Sequence, residues 1–151
     1  MSEEPVAVVK ELAEAMVRMH FRVLPGRYTL LALPKEALQD ACALIGRNGT
    51  NLGQVIVEQD VVTVLVQEGE ATSLANAYPN ARVEEDMRLI TFTVPMDWSV
   101  VGFLSRVAGI LSRNGIPIGA VCGFYRDHLV VPEKYLAKAR AALDDEIPEE
   151  K

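Results

Sequence analysis

The sequence has little of what several common functions need. It holds two cysteines, Cys42 and Cys122, and neither belongs to a Cys-x-x-Cys pair. A disulfide framework and a cysteine-built metal centre therefore find no support, and both thiols are expected to be buried as small hydrophobes in a reducing compartment. The two histidines, His20 and His128, stand far apart, one closing an amphipathic helix and one opening a strand. They read as surface or turn residues, and no metal site is expected. No Ser-His-Asp set and no glycine-rich phosphate loop is present, so neither catalytic residues nor a cofactor are expected. Basic residues are outnumbered, 15 against 21 acidic ones, for a net charge of −6. That balance repels a phosphate backbone at long range and speaks against nucleic acid as a partner. Aromatics for base stacking are few: four Phe, four Tyr and one Trp. No run approaches the roughly 20 apolar residues that span a bilayer, so no membrane partner is expected. The opening Met1-Ser2-Glu3-Glu4-Pro5 is acidic where a secretory signal is basic, which reads as a cytoplasmic protein.

The chain does have the means to build a core. Half of its 151 residues are hydrophobic and 24% are charged, the balance of a folded domain. The pattern predicts a helix over Ser2 to Met19, with Ser2 as N-cap, Glu3 and Glu4 favouring the first turn, and Val9, Leu12, Ala13, Met16 and Met19 or His20 on one apolar face. Pro25-Gly26 then turns the chain. Strand Tyr28 to Leu33, stopped by Pro34, leads into a helix over Lys35 to Ile45 that ends at Asn48-Gly49. Leu52 to Glu58 and Val61 to Gln67 form a hairpin, followed by a weak helix over Glu70 to Tyr78 and a brief strand over Arg82 to Glu84.

The same order then returns. Met87 to Val94 is a strand stopped by Pro95, and Val100 to Arg113 is a helix ended by Asn114-Gly115, a left-handed stop signal. Strands Ile116 to Phe124 and His128 to Val131 flank the turn Tyr125-Arg126-Asp127, and a helix covers Glu133 to Leu143. Leu33-Pro34 matches Val94-Pro95 at an offset of 61, while Asn48-Gly49 matches Asn114-Gly115 at 66. The first copy is thus about five residues shorter, a deficit expected inside its first helix. The repeat predicts an α+β protein of two tandem ferredoxin-like βαββαβ units. Its expected divisions are an N-terminal helix over 1–23, a first unit over 24–86, a second over 87–144 and a frayed acidic tail over 145–151. The second copy runs out of chain before a clear final strand, so its sheet is one strand short or its edge is covered by another segment or subunit.

Two features of the second copy carry chemistry. Met96-Asp97-Trp98-Ser99 runs into the predicted helix start, where about four unpaired N–H groups and a partial positive charge suit a carboxylate, with Asp97 near enough for an ammonium. Asp97 or Ser99 equally suits a helix N-cap. Gly102, Ser105, Gly109 and Ser112 form a small-residue face, and each interior glycine costs up to about 1 kcal/mol. Close packing against a partner or against the chain's own neighbouring repeat explains it. Trp98 closes over a ligand or packs on the loop.

The segment Met96 to Ile118, MDWSVVGFLSRVAGILSRNGIPI, resembles the core signature of ACT domains through Asp97, Gly102, Leu104, Leu111, Gly115 and Ile118. LPGRYTLLALP (Leu24 to Pro34) and HLVVPEKYLAKARAAL (His128 to Leu143) extend the likeness to small tandem ACT proteins, similar to the ACT repeats of cytosolic arginine sensors. The chain departs from the family at Val121-Cys122-Gly123-Phe124-Tyr125, where small hydroxyl residues are frequent. The resemblance implies a non-catalytic regulatory protein that binds a small molecule, an amino acid, where ACT units meet. It also implies a homo-oligomer, a dimer, acting on an effector protein. The implied ligand residues are Asp97, Ser99, Val100, Val101 and Gly102, with Ile116, Ile118, Cys122 and Gly123 beside them; the degenerate first copy, Lys35-Glu36-Ala37-Leu38, supplies a wall. An oligomerisation module without ligand is the alternative. An acylphosphatase-like enzyme is disfavoured, because Arg47-Asn48-Gly49 lies at the negative end of a helix.

Overall fold

The computed structural model describes residues 4–47, 49 and 51–151; the expected cap Ser2, the first-turn residue Glu3, the side chain of Val9 and the stop residue Asn48 lie outside that description. In chain order the elements are α1 (Glu4–Arg18), β1 (Phe21–Val23), β2 (Tyr28–Leu33), α2 (Leu38–Arg47), β3 (Gln54–Val57), β4 (Val62–Gln67), α3 (Glu68–Ala77), β5 (Arg82–Phe92), α4 (Phe103–Arg113), β6 (Gly119–Cys122), β7 (Asp127–Pro132) and α5 (Leu136–Asp144). Single 3-10 turns, Lys35–Ala37 and Glu133–Tyr135, precede α2 and α5.

The chain divides into two compact units, Pro25–Met87 and Met1–Leu24 with Arg88–Lys151. The expected brief strand and the strand after it are one element, β5, whose residues 82–87 serve the first unit and 88–92 the second. Asp86 stands within it at φ +56°, a left-handed conformation that costs a non-glycine residue energy.

In Pro25–Met87 the sheet order is β3-β4-β2-β5, antiparallel throughout. Leu31 and Leu33 of β2, Val62, Val64 and Val66 of β4, and Ala37, Ala41 and Leu44 of the first helical layer bury together. Alternate strand residues face one side, as the period of two requires. This is a complete βαββαβ set.

The second unit solves its missing strand in an unexpected way. Its order is β1-β5-β7-β6, and β1 comes from the N-terminal segment, with Phe21 opposite Phe92 and Val23 opposite Ile90. The tail expected to fray instead docks. Ile147 is fully buried, Phe21 N–H donates to Pro148 O at 3.1 Å, Glu150 N–H donates to Phe21 O at 2.7 Å, and Arg22 pairs with Glu150 at 2.7 Å. The physical reason is that an unpaired edge of β1 would leave backbone groups unsatisfied, and the acidic tail supplies partners. The core joins Met19, Phe21, Ile90, Phe92, Val107 and Leu111 with α5 residues, and Leu12 and Met16 of α1 pack against it. The apolar face of α1 therefore runs through Ala15 and not through Ala13, which is exposed.

Candidate functional site

The helix α4 starts at Phe103, three residues later than its pattern predicts. Gly102 takes φ +91°, which no right-handed helix accommodates and which glycine alone adopts cheaply. A Cβ there would also meet Leu12 at 3.4 Å. The helices α2 and α4 are 10 and 11 residues long, so the deficit of the first copy lies in the loop before the helix and not inside it. At the far end Gly115 (φ +69°) donates to Ser112 O and Ile116 to Leu111 O, at 3.0 and 3.1 Å. That pairing closes α4 at its expected glycine.

The longer loop opens a cleft of about 520 Å³ within the second unit. Its walls are Met96, Asp97, Trp98 and Val100 of the loop, residues 102–105 of the helix start and residues 122–127 of the β6-β7 hairpin. Loop and hairpin are joined by Met96 N–H donating to Tyr125 O at 3.0 Å. The hairpin turns tightly through Gly123 N–H to Arg126 O at 2.9 Å, and a Cβ on Gly123 would approach that same oxygen to 3.1 Å.

Neither Asp97 nor Ser99 caps α4, which has no side-chain cap. Instead Asp97 Oδ1 accepts from the Ser99 N–H at 2.8 Å and from the Ser99 hydroxyl. These bonds hold the Asp97 carboxyl below the usual carboxylate range. On the opposite wall Arg126 is fixed by Nε donating to Thr93 O at 3.1 Å, a bond in which its terminal nitrogens take no part. Two anchored groups of opposite charge thus belong to one cleft. Much of the rest is apolar and wet: Trp98 is 87% exposed, Phe124 75% and Tyr125 61%. Phe124 and Tyr125 meet edge-on at 4.8 Å. Trp98 does not pack into the loop.

Of the residues singled out in the sequence, Asp97, Val100, Gly102, Cys122 and Gly123 line the cleft. Ser99 touches Asp97 behind it, and Val101 is exposed without lining it. Ile116 is buried in the core and Ile118 packs against that core. Phe124, Tyr125, Arg126 and Asp127 line the cleft without having been singled out; the hairpin register beyond Cys122 was the signal that would have found them.

Both cysteines are exposed, against expectation. Cys122 sits on the face of β6 opposite buried Val121. Partial burial and the nearby Asp127 push its thiol up, so it stays protonated. His128 is half-buried with Nδ1 2.9 Å from the Thr91 hydroxyl. Burial depresses its pKa, and Arg126 adds to that while Asp127 opposes it. The small face of α4 meets the chain itself: Leu12 stands over Gly102 and the Arg113 guanidinium over Gly109, while Ser105 and Ser112 are exposed. Among the described residues no group of three or more His, Cys, Asp or Glu is placed to hold a metal, and no helix is long and apolar enough to cross a membrane.

Residues 82–145 match the family model of the ACT domain. Most of the chain is similar in fold to several solved structures. A protein of Agobacterium tumefaciens superposes with TM-score 0.68 at 23% identity, over 85% of this chain and 88% of that one. A protein from Vibrio cholerae described as of unknown function, possibly in transport, gives 0.68 at 22% identity, over 93% and 96%. The ligand-free regulatory subunit of aspartate kinase from Thermus thermophilus gives 0.57 at 10% identity, over 80% and 92%. No curated protein matches the chain. The fold is thus of the α+β, ferredoxin-like ACT type.

Proposed function

We propose that the protein is a non-catalytic regulatory sensor that binds a free amino acid in the cleft before α4. The observation that carries this reading is the cleft's chemistry: Asp97 and Arg126, each anchored by its own hydrogen bonds, flank the uncapped start of α4. A zwitterion offers an ammonium to the first and a carboxylate to the second, while the helix start adds positive potential. The volume and mainly apolar lining suit a small molecule, and the aromatic rings favour a ligand with a sizeable side chain. The fold shared with the aspartate kinase regulatory subunit supports a regulatory role, and this reading sets that role in the cytoplasm and couples it to an effector protein. In this reading a second copy of the chain closes the open side of the cleft, making the junction of ACT units on which the family likeness relies.

Thermal unfolding in the presence of each of the twenty amino acids tests the reading. A ligand at a hundredfold excess over its dissociation constant adds about 2.7 kcal/mol of stability. At least one amino acid should raise Tm, and a flat response to all twenty overturns the proposal. The exposed faces of Trp98, Phe124 and Tyr125 favour a second reading, an oligomerisation module without ligand. Concentration-dependent dimerisation with that flat response would identify it.

A further inference from the structure

The two copies place the same backbone position opposite the same loop. In Pro25–Met87, Val57 pairs with Val62 and Glu58 N–H donates to Val61 O at 2.9 Å. In the second unit Cys122 pairs with Asp127 and Gly123 N–H donates to Arg126 O, also at 2.9 Å. Glu58 and Gly123 are therefore equivalent, at the same step of the same hairpin turn. On the facing side Lys35 follows Leu33-Pro34 as Met96 follows Val94-Pro95.

In the first copy this position is filled from within. Lys35 Nζ donates to the Glu58 carbonyl at 2.7 Å, so the loop closes on the hairpin through an ammonium of the chain itself. In the second copy the corresponding Met96 has a thioether, which donates no hydrogen bond, and both Met96 and Gly123 line the open cleft. We infer that the Gly123 carbonyl is the acceptor for the ligand's ammonium, and that Met96 is the position whose side chain keeps that acceptor available. The inference rests on the amino-acid reading of the cleft and gives that ligand an orientation. Its ammonium is shared between this carbonyl and the Asp97 carboxylate, with Asp127 adding favourable potential, and its carboxylate is left to the Arg126 guanidinium, which lines the same cleft. An ammonium on a carbonyl is a charge-assisted bond, stronger than one between neutral groups.

The test is to write the first copy's solution into the second. The variant Met96→Lys is titrated calorimetrically beside wild type and Met96→Leu with each amino acid that binds wild type, and with the corresponding 2-hydroxy acid. The introduced amine should fill the position and weaken binding by about tenfold to a hundredfold, whereas Met96→Leu should stay within about threefold. The hydroxy acid, lacking an ammonium, should bind wild type at least about tenfold more weakly. A crystal structure of Met96→Lys should place its Nζ about 2.7–3.2 Å from Gly123 O. Wild-type affinity in Met96→Lys, equal binding of the hydroxy acid, or an introduced amine bonded elsewhere each overturns the inference. If no amino acid binds wild type, the sensor reading falls, and the crystal structure of the variant alone then decides whether this carbonyl takes an ammonium.

Discussion

The loop before α2 and the loop before α4 leave their strands through the same kind of pair, Leu33-Pro34 and Val94-Pro95, and lead into helices whose inward positions stand in step. At an offset of 66, Ala37, Ala41 and Leu44 match Phe103, Val107 and Ile110, and all six are buried. The first helix presents two alanines to its sheet where the second presents a phenylalanine and a valine. The first loop is short and tied down by Lys35; the second has extra residues, a left-handed glycine and a cleft. One scaffold therefore yields a closed corner or an open one, depending on a few loop residues and on whether a lysine or a methionine follows the proline. The strand-helix-hairpin frame around the corner is common to both units, as expected where rigid elements carry variable loops, although the second unit takes its remaining strand from β1.

The largest effect expected from this comparison is in the core. Phe103 is 3% exposed and meets Phe92 edge-on at 5.0 Å. Phe103→Ala should destabilise the protein by about 3–5 kcal/mol in urea unfolding, whereas the reverse change, Ala37→Phe, should overpack and cost about 1–3 kcal/mol. Equal costs would mean that the two helical layers are not equivalent. A smaller effect is set by pH. His128 is the counterpart of Thr63, which does not titrate, and its pKa in the fold is depressed from 6.5. An unfolded chain then binds more protons than the folded one as pH falls through that value, so stability is present above about pH 6.5 and is lost below it. Hydrogen exchange should show residues 88–151 loosening between pH 7 and 5 ahead of residues 25–87, and His128→Gln should remove the difference. The smallest effect concerns the closed corner. Lys35 is exposed, so Lys35→Met should change stability by about 0.5 kcal/mol or less. Because the extra loop residues are missing, it should also leave the number of amino-acid sites, measured by calorimetry, unchanged.

Strand β2 was legible residue for residue, because an unbroken apolar run ending at Pro34 leaves little choice. The end of α4 was equally plain in Asn114-Gly115. Strand β1 was not: three residues carry no periodicity, and Phe21–Val23 extend only because β5 and the tail pair with them. Glu85 and Asp86 fell between two expected strands, Arg82 to Glu84 and Met87 to Val94, yet β5 runs through them as one element. In the site, the loop residues Asp97 and Gly102 stood out by type. Arg126 did not, since nothing local marks an arginine in a turn, and its place is fixed by the Thr93 carbonyl far back in the chain. Exposed Cys122 shows the same limit: a small residue's face on a short edge strand depends on register, not on composition.

The docking of the tail on β1 imposes an order of events on synthesis. Arg22 and its partner Glu150 are 128 positions apart, so an earlier-made segment must wait for one made much later. Residues 25–87, whose strand pairs β3-β4, β4-β2 and β2-β5 are internal, can acquire their fold while the remainder is still being made. The other unit closes late, through contacts that are slow to find because of their separation along the chain. Until then the amphipathic α1 and the open edges of β1 and β5 are exposed to other chains, and the vulnerability of the nascent protein lies in these waiting elements.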